Sequence, residues 1–280
     1  MLVQQLFYDS SENSVINTRI LTALFLCTDR LELNEAQKKD YFNALLLQAK
    51  KLLAIWVHYD RFRKEEERLR ESAPIFDIAT PPASISITYS QELYMEFDEY
   101  LVQYKSSLDY LAKLPGTLLG RHKWNPSTFG DKGKTILKIL RSVLPKEKKK
   151  QADDFEKLIF EKHRADIEMI VEVRDKINHF LYGGIPFQNF AVYGLKENNK
   201  INYKYPMWST NQRMTDFMRI AFFNHLRFCE DFIVFFLGLY LKPEYGFFHA
   251  PLPAGASQSP WTLIHKAELP FYLNKYGVSS

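Results

Sequence analysis

The stretch SQELYMEFDEYLVQYKSSLDYLAK, residues 90–113, decides the fold class. Its apolar residues Leu93, Phe97, Leu101, Tyr104, Leu108 and Leu111 recur at steps of four, four, three, four and three, which puts them on one buried face of an α-helix. Pro115-Gly116 then ends the helix. A longer pattern of the same kind starts after Asn34, an N-cap with Gln37 at the capping-box position. Its first half is apolar (Leu45, Leu46, Leu52, Leu53, Trp56), whereas Arg61 to Arg70 is almost wholly charged and is expected to run along the surface.

Working outward, Val15 to Leu31 and Thr135 to Leu144 read as further helices, Gln151 to Tyr182 as a long one stopped by Gly183-Gly184, and about Thr210 to Leu241 as the last. Phe190 to Leu195 and Ile201 to Tyr205 flank Lys196 to Lys200 and predict a β-hairpin, and Ile85 to Tyr89 predicts one short strand. The expected fold is therefore mainly α: a helical bundle with additional N-terminal helices and a small inserted β-hairpin. Residues 1–72 form an N-terminal helical region packing on the bundle. Residues 73–89 are a linker around Pro74, Pro81 and Pro82, 90–241 the main helical domain with the hairpin insert at about 188–207, and 242–280 an irregular Pro-rich tail. No internal repeat occurs at solenoid periods.

A hydrophobic content of 46%, a charged content of 25%, and 22 Phe with 16 Tyr describe a globular chain with an aromatic core rather than a disordered one. The formal charge of +4 does not by itself announce a nucleic-acid partner. Local clusters matter more: Lys146, Lys148, Lys149 and Lys150 form a compact basic patch, readable as a solvated loop or as an RNA backbone contact, and the segment from Lys123 to Lys138 adds further basic residues. Only Cys27 and Cys229 are present, each in an apolar helical pattern, so neither a disulfide framework nor a cysteine metal site is expected. The N-terminus lacks the pattern of a secretory signal, and a cytoplasmic location is expected. Phe232 to Leu241 is apolar for only ten residues and follows Glu230-Asp231, which suits a core helix better than a membrane span of roughly 20 residues.

No histidine pair has metal-ligand spacing on one helix face, so no metal and no cofactor are expected. His163 and His225 sit in apolar patterns and read as hydrogen-bonded core histidines. Gly130-Asp-Lys-Gly-Lys-Thr135 ends like a phosphate-binding loop but lacks its first glycine and a preceding strand, which argues against ATP hydrolysis. The aromatic residues of the hairpin, among them Phe190, Tyr193, Tyr203, Tyr205 and Trp208, could stack on bases or pack on the bundle.

One helix breaks its own pattern. Along Gln151 to Tyr182, the residues Phe155, Ile159, Ile167, Ile170, Ile177 and Leu181 define an apolar stripe that His163 and Arg174 complete. A guanidinium on a buried stripe needs a paired carboxylate, a solvated cleft or a partner subunit. Beside it run Glu168, Glu172, Asp175 and His179, with Asp175 one turn before the imidazole. Two accounts stay open on the residues alone: Arg174 pairs a carboxylate of another helix while His179 caps the C-terminus, or the two residues carry chemistry. Five residues at about 100° each leave them some 140° apart, so they do not share a face.

Arg174-Asp175-Lys176-Ile177-Asn178-His179 resembles the Arg-x4–6-His signature of the HEPN superfamily. The resemblance covers the motif helix well and residues 90–241 in outline. It implies an α-helical bundle that pairs as a homodimer, and metal-independent endoribonuclease activity of the kind found in toxins, antiviral defence factors and RNA-processing proteins. It further implies catalytic roles for Arg174 and His179 and supporting roles for Asp175 and Asn178, with RNA as substrate, no membrane partner, and an antitoxin or other regulatory protein as a further partner. A twofold dimer would answer the facing problem by bringing two motifs into one cleft. The alternative is a non-catalytic HEPN-like helical dimer that binds RNA, a nucleotide or a protein.

Overall fold

Asn34 and Gln37 close the expected capping box: Asn34 Oδ1 accepts from the Gln37 N–H at 2.9 Å, and Gln37 Oε1 accepts from the Asn34 N–H at 3.1 Å. The computed structural model describes residues 8–25, 27–80, 86–130, 133–178, 190–253 and 255–276, with 25, 147 and 178 by backbone alone. In chain order, a π-helical turn (Asn17–Thr22) leads into α1 (Ala23–Phe25), in place of one uniform helix from Val15 to Leu31. The capping box opens α2 (Glu35–Glu71), and Ser90 caps α3 (Gln91–Lys113) by accepting from the Leu93 N–H at 3.2 Å. Short α4 (Gly116–Leu119) and α5 (Lys134–Val143) follow. Then α6 (Lys149–Phe155) passes through a second π turn (Glu156–Phe160) into α7 (Glu161–Asn178), and α8 (Met214–Gly238) and α9 (Leu269–Tyr276) complete the helices.

Side-chain contacts define an antiparallel bundle of α2, α3, α7 and α8. Gln48 of α2 meets Ser107 and Cys229, His58 meets Glu96, and Glu66 meets Thr215, so α2 runs opposite to both α3 and α8. On the other side, Phe155 packs on Phe232 and Phe236, and Asp166 accepts from Asn224, so α7 also opposes α8. One end of the bundle therefore gathers the C-termini of α2 and α7 with the N-termini of α3 and α8. The other end gathers the reverse.

The core is aromatic, as composition suggests. Phe129 stacks on Phe160 at 5.7 Å and meets Phe228 edge-on, while Trp124 packs on Phe236. Gly133, in the segment that mimics a phosphate loop, has φ +89°, and a Cβ there would lie 1.7 Å from the Phe160 ring. Its glycine serves ring packing at the start of α5.

Strand β1 (Ile75–Asp77) runs parallel to β2 (Tyr193–Glu197), and β2 pairs antiparallel with β3 (Lys200–Lys204). Asn198 and Asn199 turn this expected hairpin with φ of 47° and 61°, the double positive φ that a tight two-residue turn needs. Two short strands, β4 (Met207–Ser209) and β5 (Gln212–Arg213), precede α8. The strand expected at Ile85 to Tyr89 is corrected: residues 86–89 are irregular, and the linker's strand is β1, which finds the free edge of β2. The tail expected to be irregular is corrected too, for β6 (Tyr245–His249) pairs with β7 (Trp261–His265) ahead of α9. The prolines 251, 253 and 260 lie in the connection between these strands and left both free to pair.

Glu230 and Asp231 sit in the middle of α8 at 0% and 2% exposure. They flank the apolar run but mark no boundary of it, and among the described residues no helix is long and apolar enough to cross a membrane. Glu230 is bridged by both Arg19 Nε, at 3.0 Å, and Arg19 Nη2, and Arg19 Nη1 donates to the Ala256 carbonyl at 3.2 Å. The pair has side-chain exposures of 0% and 0%. Replacing Arg19 by Met leaves a buried carboxylate uncompensated and is expected to cost about 3–5 kcal/mol in urea unfolding. Arg19→Met combined with Glu230→Leu should recover most of it, and a loss below about 1 kcal/mol in the single variant would contradict this role.

Candidate functional site

The last turns of α7 carry the motif. Val173 and Ile177 are buried at 6% and 8%, whereas the Arg174 side chain is 32% exposed, so it lies at the margin of the apolar stripe and not within it. The expected stripe is corrected in two places. The π turn adds a residue that carries Phe160 inward in place of Ile159, and Val173 takes the inward position near the end of the helix. Arg174 Nη1 donates to Asp175 Oδ1 at 3.0 Å. His179 and the Asn178 side chain lie outside the described residues; α7 is described as far as the Asn178 backbone, immediately before the motif histidine.

A second carboxyl belongs to this end of the bundle. Asp98 of α3 is half-buried; burial and the neighbouring Glu99 push its pKa above the ordinary carboxylate range, and the positive Arg174 opposes them. Its Oδ1 has no hydrogen-bond partner among the described residues. A cation and a half-buried carboxyl thus lie near each other where α3 and α7 pack. Sequence reading missed Asp98 because it belongs to another helix. The signal was its place beside Phe97, at the edge of the α3 stripe.

The lysine patch is elsewhere. Lys148 Nζ donates to the Leu239 carbonyl at 3.4 Å, at the C-terminus of α8, while Lys146, Lys149 and Lys150 are exposed. From Lys149 to Arg174 the chain runs some 37 Å along one helix at about 1.5 Å per residue. The fold joins Arg174 and Asp175, and sets the four lysines at the opposite end.

His163 and His225 are core histidines, as expected. His163 Nε2 lies 3.0 Å from Asp231 Oδ2, which also accepts from Lys162 Nζ at 2.9 Å, and Asp231 Oδ1 accepts from Trp261 Nε1 at 2.7 Å. Burial opposes ionisation of Asp231, but these donors outweigh it and hold the carboxyl at about 2. A cleft of about 350 Å³ opens beside this cluster, walled by Ile159, Val234, Phe235 and Trp261. His225 stacks on Tyr104 at 4.0 Å and bonds Ser107 Oγ at 2.8 Å; Gln48 Nε2 donates to the same oxygen at 2.7 Å and to Cys229 Sγ at 3.3 Å. This Ser-His-Cys grouping is not a nucleophilic site, because Ser107, His225 and Cys229 are all 0% exposed and burial drives the thiol pKa upward. Both cysteines are free and buried, and among the described residues no group of three metal-ligating side chains converges.

No protein-family model, curated protein or solved structure matches the chain.

Burial, with a smaller contribution from His163, lowers the His225 pKa to about 3. The unfolded chain takes up this proton near pH 6.5 and the folded chain does not, so stability is full above about 6.5 and falls as pH drops toward 3. Urea titrations between pH 7 and 5 should show His225 adding a slope approaching 1.4 kcal/mol per pH unit on the acid side. His225→Gln should remove that component, and an unchanged slope would contradict the assignment.

Proposed function

We propose that the chain is a metal-independent endoribonuclease of HEPN type, acting as a homodimer in the cytoplasm in bacterial defence or toxin-antitoxin growth arrest. The observation that carries this reading is the position of Arg174. It stands in the last turns of a bundle helix, one-third exposed, five residues before His179 and near the half-buried carboxyl of Asp98. A guanidinium at such a margin reaches a phosphate without leaving the helix.

The chemistry needs few groups. RNA supplies its own nucleophile: the 2′-oxygen attacks phosphorus, the bond to the 5′-oxygen breaks, and the products are a 2′,3′-cyclic phosphate and a 5′-hydroxyl. His179 takes the 2′-proton or returns one to the leaving oxygen, and Arg174 holds the phosphate as charge develops on it. Asp175 orients the guanidinium, and Asn178 is a further polar contact. Because five residues at helical pitch would set Arg174 and His179 about 140° apart, the working pair draws Arg174 from one subunit and His179 from the other. The exposed Lys146, Lys149 and Lys150, with Lys148, are candidate contacts for the RNA backbone away from the cleavage point. An antitoxin or other regulatory protein would restrain the activity.

A second reading, a non-catalytic HEPN-like dimer that binds RNA, a nucleotide or a protein partner, draws on the Arg174–Asp175 pair, which already engages one guanidinium nitrogen. Incubating wild type, Arg174→Ala and His179→Ala with total RNA in EDTA separates the two. The proposal expects cleavage by wild type and a loss on the order of 10²–10⁴ in rate for each variant. Equal cleavage by all three, or none by any, would remove the catalytic assignment.

A further inference from the structure

The bundle end opposite Arg174 holds a groove of about 300 Å³ that the motif reading does not use. Its apolar floor is made by Leu47 of α2, Tyr110 and Leu114 at the end of α3, and Trp124. Leu47 and Tyr110 are 46% and 37% exposed and lie side by side in this one groove. Lys113 and Arg121 line it, Arg121 with its side chain 78% exposed. Lys113 Nζ and, just outside the lining, Lys51 Nζ sit over the Tyr110 ring at 5.8 and 5.4 Å from its centroid. Asp40 pairs with Arg121 at 3.7 Å. Both partners are more than half exposed, so this pair leaves the guanidinium available.

Hydrogen bonds brace the walls. Trp124 Nε1 donates to the Ala112 carbonyl at 2.7 Å, Thr117 Oγ1 to the Leu114 carbonyl at 2.8 Å, and the Phe129 N–H to Asp109 Oδ1 at 2.7 Å. Gly116 allows the loop to close, since a Cβ there would stand 3.0 Å from the Trp124 carbonyl oxygen.

We infer that this groove binds single-stranded nucleic acid, seating one base against Leu47 and the Tyr110 side chain while Lys113 and Arg121 hold the flanking phosphates. Two features select this occupant. The floor asks for a flat apolar body and the rim for negative charge, and a nucleotide unit supplies both, whereas an acidic peptide supplies only the second. The volume, at the low end for ligand pockets, suits one such unit. The exposed Lys146, Lys149 and Lys150 lie toward the same end of the bundle and extend the positive surface. The inference rests on nucleic acid being the partner in the proposed function, but it concerns binding and not cleavage.

Fluorescence anisotropy with a labelled 2′-O-methyl RNA oligonucleotide, which lacks the attacking hydroxyl, keeps the two apart. Wild type should bind it with an affinity that falls as salt rises. Tyr110→Leu should weaken binding about tenfold with an unchanged salt slope. Lys113→Ala with Arg121→Ala should weaken it and flatten the slope of log K against log salt by about 1.4, two phosphates at about 0.7 each on a single strand. Lys200→Ala, at the β2–β3 hairpin, should change nothing. These side chains are exposed or partly exposed, and unchanged melting temperatures will show that the variants fold. Absence of binding by wild type overturns the inference, as does equal binding by the groove variants or a preference for polyglutamate lost in those variants. Wild-type cleavage of ordinary RNA alongside such a result would leave the motif reading standing, while groove binding without cleavage would remove the motif reading alone.

Discussion

Two adjacent carboxylates in the middle of the most deeply buried helix set the terms for the rest of the structure. Glu230 and Asp231 can be ionised there only if donors arrive from elsewhere, and they arrive from three parts of the chain: Arg19 from the N-terminal helical segment, Lys162 and His163 from α7, and Trp261 from the C-terminal hairpin. Apolar packing alone tolerates more than one rotation of a helix, whereas a buried carboxylate with directional partners does not. The consequence reaches the candidate site. His163 precedes Arg174 by eleven residues, close to three turns, so anchoring the imidazole on Asp231 sets the direction in which the guanidinium leaves the helix.

The helices were legible where one helix face sufficed to specify burial. The stripe from Leu93 to Leu111 and the Asn34–Gln37 capping box are local signals, and both form as read. What escaped depends on partners distant in sequence. Arg19 reads as one cation in a mixed helix until Glu230, 211 residues away, is placed beside it. The π turn at Glu156–Phe160 shifts the inward face by a residue, and that shift is invisible to a 3.6-residue period. The C-terminal hairpin was hidden by its prolines, which belong to the connection, while the pairing residues Tyr245-Gly-Phe-Phe-His249 and Trp261-Thr-Leu-Ile-His265 are themselves aromatic and β-branched strand formers. Of the candidate site, Arg174 drew notice through a stripe at whose margin it lies, Asp98 did not, and the cationic groove was missed because its residues come from α2, α3 and the loop after α4.

The two proposals use opposite ends of the bundle. One carries Arg174, Asp175 and Asp98, where α7 meets α3. The other carries the rimmed groove and the exposed lysines. From Asp98 to Lys113 along α3 is some 22 Å at about 1.5 Å per residue. On the proposed reading, a strand held at the basic end would have its flanking nucleotides at the other, and affinity and chemistry would be divided between the two ends of the bundle.

The proposed site is divided between subunits, and subunit mixing tests that division most directly. Arg174→Ala and His179→Ala proteins, each inactive alone, are denatured together, refolded and assayed on RNA. If the working pair takes Arg174 from one chain and His179 from its partner, half of the dimers are mixed and hold one intact pair of two, and activity returns to about a quarter of wild type. If the refolded mixture stays as inactive as its components while wild type treated in the same way recovers, the composite site is wrong.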